Sequence, residues 1–188
     1  MLDQPTIRCL CRLAVLLLTM VCGGAGIAAE TPAVGEYQVK AAFIYNFTKF
    51  VEWPEDAAAT NDVPFIIGIV GNDPFGGALD EVVKSQQVAG RPLVVRRFKR
   101  GDSVTGCRIL FISRSETDRL ESLLKQIDSQ SVLTVADLDG GASRGVMINL
   151  VVDQGSVKME VNLARAGRAR LHISSKLLGL AKIVESDR

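Results

Sequence analysis

The chain has 188 residues, 22 basic against 21 acidic side chains, one histidine and 47% hydrophobic residues. A net charge of +1 creates no overall field to attract nucleic acid or an anionic membrane. The length suits one domain with a sizeable core.

Arg8 and Arg12 stand ahead of an apolar run, Leu13 to Val21, and a small-residue stretch, Gly23 to Ala29. Positive, apolar, small is the order of a secretory signal peptide, and the run is too short for a membrane span, which needs ~20 apolar residues. We read 1–29 as the signal and 30–188 as a single domain. Cleavage removes two arginines and one aspartate, leaving 20 basic and 20 acidic residues in 159. No second apolar span follows, so a soluble, not membrane-spanning, protein of the Gram-negative periplasm is expected. Cys9, Cys11 and Cys22 leave with the signal. Cys107 remains unpaired, so no internal disulfide is expected. It opens the apolar run CRILFI and reads as a buried small hydrophobe.

In Val39 to Pro54 (VKAAFIYNFTKFVEWP) the residues Val39, Phe43, Phe47 and Phe50 step at helical spacing, and Ile44, Tyr45 and Val51 widen that stripe. The spacing predicts a core helix that Pro54 stops, with Phe43, Phe47 and Phe50 plugging one face of a sheet. Pro64 to Gly71 is a continuous apolar run of the parallel-strand kind. Asn72-Asp73-Pro74 turns the chain. Asp73 is expected to cap a helix over 75–84, with Pro74 at its first position and Leu79, Val82 and Val83 inward. Strands follow at Leu93 to Phe98 and Cys107 to Ser113. Ser115 or Thr117 is expected to cap a helix carrying Leu120, Leu123, Leu124 and Ile127 on one face. Ser131 to Ala136 is a further strand, and Asp137 to Gly145 a glycine-rich loop. Val146 to Val152 and Ser156 to Val161 read as a hairpin. Asn162 is expected to cap a basic helix, Leu163 to Arg170. Ser174 or Ser175 would cap a last helix, Lys176 to Val184. This alternation predicts an α/β fold. It is a single three-layer domain with a mixed, mostly parallel sheet, helices on both faces, and a C-terminal hairpin plus two helices.

The inventory of reactive groups is thin. His172 has no Cys, Asp, Glu or His partner at metal or triad spacing. The turn GNDPFGG joins a strand to a helix, where α/β sheets place ligands, so Asn72, Asp73 and Phe75 are ligand-contact candidates. It lacks both the GxGxxG spacing and the Lys-Ser/Thr of a P-loop. The loop DLDGGASRG lacks the carboxylates of an EF-hand and offers Arg144 to a partner. Arg165 to Arg170 is a local basic patch in which Arg168 can dock on an acidic surface. With no GxSxG, HExxH, CxxC or paired-carboxylate motif, we expect no enzyme, metal or cofactor.

KAAFIYNFTKFVEWP after a signal peptide resembles the start of the YfiR family, small periplasmic α/β proteins. The closing stretch, Asn162-Leu163-Ala164, then Leu171 to Leu178 (LHISSKLL) and Gly179-Leu180-Ala181, is similar to that family's end. Between them the GIVGNDPFG turn, a CRILFIS-like strand and the Gly-rich loop fall in the family's order. The resemblance implies a regulator that binds and inhibits the periplasmic sensor domain of an inner-membrane diguanylate cyclase, or a related sensor. That lowers cyclic di-GMP and biofilm formation. It also implies sequestration by an OmpA-like outer-membrane lipoprotein and a homodimer. Asn46, Lys49 and Trp53 on the opening segment join Arg144, Arg168 and His172 as partner-binding candidates. Family members carry paired cysteines, one looking equivalent to Cys107; this chain has Ala78 and Leu79 where the partner would stand. The alternative function is a periplasmic small-molecule-binding module serving as sensor for a membrane signalling protein.

Overall fold

The computed structural model describes residues 33–54 and 63–185, and the signal peptide expected over 1–29 lies outside the described residues. Helix α1, Ala33–Phe50, opens the domain. It ends earlier than Pro54, because Val51–Glu52 forms a short strand, β1, antiparallel to His172–Ile173. β-branched Val51 favours the extended state, and its backbone finds a partner there rather than in another helical turn. The buried face of α1 is also rotated from the expected stripe. Lys40, Ala41, Ile44, Phe47, Thr48 and Val51 are buried, whereas Val39 is 46% exposed. Phe43 and Phe50 are half-buried at the margin.

An eight-stranded sheet follows in the spatial order β10-β8-β7-β6-β5-β2-β4-β3. Strands β2 (Phe65–Val70), β4 (Arg91–Phe98), β5 (Ile109–Ile112), β6 (Leu133–Ala136) and β7 (Ile148–Asp153) run parallel. β3 (Gln87–Val88) is antiparallel to β4, and β8 (Ser156–Val161) to β7. The β7–β8 hairpin turns through Gln154 and Gly155, both left-handed (φ 48° and 74°), as a type I′ turn requires.

β2 shows how the core is divided. All its residues are buried, and they alternate between two clusters. Phe65, Ile67 and Ile69 join α1, helix α2 (Ala78–Val83) and the C-terminal segment in one cluster. Ile66 and Val70 join Leu120, Leu123 and Leu124 of helix α3 (Leu120–Gln126) in the other. Each fully buried Ile or Phe contributes about 1.5–3 kcal/mol over its exposed state. The sheet is thus covered on both faces, as the alternation of elements implied.

Several boundaries differ from the expected ones. α2 begins at Ala78, with Gly77 as N-cap, so Asp73 does not cap it. Its carboxylate instead accepts the Phe75 N–H at 2.7 Å, closing an Asx turn before the helix. Ser113, not Ser115 or Thr117, caps the next helical stretch, a 3₁₀ helix at Arg114–Arg119 that leads into α3. The expected caps hold elsewhere: Asn162 accepts the Arg165 N–H ahead of helix α4 (Leu163–Arg168), and Ser174 that of Leu177. The last helix, α5 (Ser175–Leu178), is a single turn ending at Gly179. Ala181–Ile183 then forms strand β10, parallel to β8, and the Val184 N–H reaches Val161 O at 2.9 Å. β9 (His172–Ile173) precedes α5.

Candidate functional site

From β2 the chain crosses to β4 on one side; from β5 it crosses to β6 on the other. The carboxyl ends of β2 and β5 therefore flank a topological switch point, where open α/β sheets place their ligand crevice. Here that crevice is filled by the chain itself. Gly71 (φ 89°) brings β2's end so close to the 3₁₀ helix that a Cβ would lie 2.4 Å from Ser115 Oγ and 2.8 Å from Glu116 Cγ. The Asn72 N–H donates to Ser115 Oγ at 2.9 Å.

Beside it lies a buried charge network that sequence reasoning missed. Asp137, just past the end of β6, has a side chain only 1% exposed, and Lys40 of α1 is fully buried. Lys40 Nζ donates to Asp137 Oδ2 at 2.9 Å and is also paired with Glu36 one turn back on α1. Tyr37 OH donates to the same Oδ2 at 2.7 Å, and Arg114 Nε donates to the Asp137 carbonyl at 2.9 Å. Asp137 Oδ1 is buried and has no partner among the described residues. Burial first, and then the hydrogen bond to Asp137, raises the Tyr37 phenol above its ordinary range, so it is a protonated donor. Tyr37 and Lys40 are four and one positions from Ala41, on the buried arc, but pairing across 97 residues leaves no local trace.

Open space lies beside the switch point, in a cleft between α1 and the turn leading into α2. It measures about 890 Å³, within the ~300–1,000 Å³ of small-molecule sites. Tyr37 and Gln38 line one wall; Pro74 to Ala78, Glu81 and Val82 line the other. Phe75 is buried, packed edge-on against Tyr37 (5.5 Å) and Phe111 (4.7 Å). Of the ligand candidates, Phe75 lines this cleft. Asp73 is held by the Phe75 N–H and by Arg97 Nε at 2.8 Å, and the exposed Asn72 does not line it. Arg97 also clamps Asp80, which lowers the Asp80 carboxyl pKa.

The partner candidates fall in separate places. β1 and β9 set Glu52 directly opposite His172, both exposed, with Trp53 next in sequence. Trp53 is half-buried: its N–H reaches Arg108 O at 3.2 Å and its ring meets Phe65 edge-on. Lys49 is exposed over the Tyr45 ring at 4.2 Å, and Asn46 is half-buried one turn earlier. Arg144 is exposed at the other end of the sheet, donating to Thr117 O at 3.0 Å. Arg168 is exposed on α4.

Cys107 is free and buried, and burial pushes its thiol up to about 11. It belongs to the cluster on one face of the sheet, whereas Ala78 and Leu79 belong to the other. A cysteine at either position would face away from it across the sheet. No described helix is long and apolar enough to cross a membrane, and the described residues contain no group of three metal-ligating side chains.

A mostly parallel sheet with its crevice closed by side chains and an apolar cleft at its carboxyl edge defines a small α/β domain. The chain belongs to the YfiR/HmsC-like family, whose model matches residues 37–182. Membership ties it, at family level, to regulation of diguanylate cyclase signalling. No curated protein matches the chain in sequence. A solved structure described as the ABC domain in complex with L-Trp from Streptococcus pneumonia is similar in fold, with a TM-score of 0.56 and 10% identity. The likeness covers 79% of this chain and spans 60% of that one.

Proposed function

We propose that this protein is a periplasmic regulator that binds and inhibits the periplasmic sensor domain of an inner-membrane diguanylate cyclase, or a related sensor. It thereby lowers cyclic di-GMP and biofilm formation. The observation carrying this reading is the family match over 37–182, which takes in nearly all of the described chain. The β1–β9 patch, with Lys49, Trp53 and His172, is the proposed docking surface, and the protein is proposed to act as a homodimer without catalysis. An OmpA-like outer-membrane lipoprotein is the proposed competitor. Inhibition is a population shift: the regulator binds the inactive sensor conformation more tightly. Turning a mostly active sensor mostly off takes ~5 kcal/mol of differential affinity. Deleting the gene is expected to raise cyclic di-GMP, and the tagged protein to co-purify with one membrane cyclase from a detergent extract. Unchanged cyclic di-GMP together with no co-purifying sensor refutes the proposal.

A second reading, a small-molecule-binding module that feeds a membrane signalling protein, is favoured by the 890 Å³ cleft. A ligand at ~100 times its dissociation constant adds ~2.7 kcal/mol of stability, readable as a thermal shift.

A further inference from the structure

The cleft between α1 and α2 restricts what can enter it. Its walls are the Phe75, Pro74 and Val82 side chains and the Tyr37 ring, and among the described residues its one charged lining group is Glu81. The Tyr37 hydroxyl is already committed to Asp137, so Tyr37 offers the cleft a ring rather than a donor. One such face already holds a cation, since Lys40 Nζ sits 4.6 Å from the ring centroid, with Glu36 and Asp137 neutralising it.

Behind the Gly76 carbonyl, Arg97 is shared by Asp73 and Asp80, leaving that group net negative. Lys84 pairs loosely with Glu81 at 3.9 Å, with both groups about three-quarters exposed. A contact of that kind is worth ~0–1 kcal/mol and leaves Glu81 available. Anionic ligands meet apolar walls and a carboxylate, with no basic lining residue among the described residues. An organic cation meets a π face and a counter-charge, the pairing that recognises ammonium groups.

We propose that the α1–α2 cleft binds a small organic cation with an apolar body, an aryl- or alkylamine, held by Phe75, Val82 and the Tyr37 ring with Glu81 as its counter-charge. This rests on the ligand-binding reading and is independent of the cyclase.

Phenethylamine, the neutral 2-phenylethanol and the anionic 3-phenylpropionate share one ring and differ in charge, so they isolate the electrostatic contribution. Titration of the purified protein by calorimetry or ligand-observed NMR is expected to give saturable binding of the amine, about tenfold tighter than the acid. Glu81→Gln is expected to bring amine and acid within about threefold while leaving the alcohol unchanged. Gly77→Trp, at a cleft position where an added Cβ meets nothing within 4 Å, is expected to abolish binding of all three with the melting curve unaltered. Acid binding as tightly as amine, or an amine preference that survives Glu81→Gln, overturns the cation assignment while leaving a ligand site. Binding undiminished in a folded Gly77→Trp protein overturns the location. No saturable binding of any probe overturns both this inference and the ligand-binding reading.

Discussion

Replacing Lys40 by methionine keeps most of the apolar stem, is one heavy atom shorter, and removes the ammonium with its charge and its donors to Glu36 and Asp137. In the native protein Nζ lies 2.9 Å from Asp137 Oδ2, with Glu36 as a second carboxylate. At that separation and an effective dielectric of ~20, the attraction to Asp137 is ~6 kcal/mol. Desolvating the ammonium costs several kcal/mol, so the net worth of the pair is much smaller than this. Removing one partner is a different matter. Glu36 is 25% exposed and can turn to water, but Asp137 is 1% exposed and already has one unpartnered oxygen. Tyr37 and the exposed Arg114 would be its remaining partners. The expected loss for Lys40→Met is therefore ~3–5 kcal/mol. The double variant Lys40→Met with Asp137→Leu removes both charges and is expected to recover most of that loss, landing within ~1 kcal/mol of the parent. Urea unfolding followed by Trp53 fluorescence measures this. That tryptophan is the only one in the chain, and its edge-on packing on Phe65 is lost on unfolding. A Lys40→Met midpoint within ~1 kcal/mol of the parent, or a double variant no better than the single, refutes the reasoning.

The rotated face of α1 makes a paired prediction. Phe47→Ala, at a fully buried site, should cost ~3–5 kcal/mol, whereas Val39→Ala, at a site nearly half exposed, should stay within ~0.5 kcal/mol; equal losses in urea unfolding would place the original stripe in the core after all. Cys107, buried with its thiol raised to about 11, is expected to react with Ellman's reagent only as fast as the protein opens. Its rate should rise with urea in step with unfolding. The raised Tyr37 phenol stays protonated in the folded state, while the unfolded chain ionises it near pH ~10. Its contribution to stability is therefore complete below that pH and is lost as pH rises above it. Phenolate absorbance should show one of the two tyrosines titrating together with alkaline unfolding, and Tyr37→Phe should remove that component.

What could be read from the sequence was set by local patterns, and what was hidden was set by distant pairing. PFIIGIVG and CRILFIS declare buried strands by composition alone, and both are strands whose side chains alternate between the two cores. Asn162 and Ser174 act as caps at short range and were legible for that reason. Lys40 was not. A lysine in a helix reads as solvated unless its partner is known, and that partner lies in a glycine-rich loop far along the chain. Once Lys40 is inside, the helix must roll to admit it, and Val39, its neighbour, goes out. The C-terminus was misread for a related reason. Leu177, Leu180, Ala181 and Val184 have helical spacing, yet the edge of β8 offers backbone partners that a one-turn helix ended by Gly179 cannot match. Leu180, 73% exposed, packs on no helix face.

The two stretches that carried the family resemblance also meet in space. Val51 lies opposite Ile173 and Glu52 opposite His172, and the Ser174 N–H donates to Phe50 O at 2.9 Å. The opening segment contributes a strand, and the closing segment contributes both its partner and the hydroxyl that caps the next turn. Val51, Ile173 and Leu177 then bury into the same cluster as Phe47. Neither stretch satisfies its backbone alone, since an isolated two-residue strand has nothing to pair with. Their apolar and hydroxyl positions are thus fixed by one structural unit built from both ends of the chain. The side chains that unit leaves exposed, Lys49, Glu52 and His172, are set on a rigid support without being needed to hold it together. That is the arrangement the proposed docking surface requires, and on that proposal substitutions there are expected to weaken co-purification of the sensor while leaving the urea-unfolding midpoint unchanged.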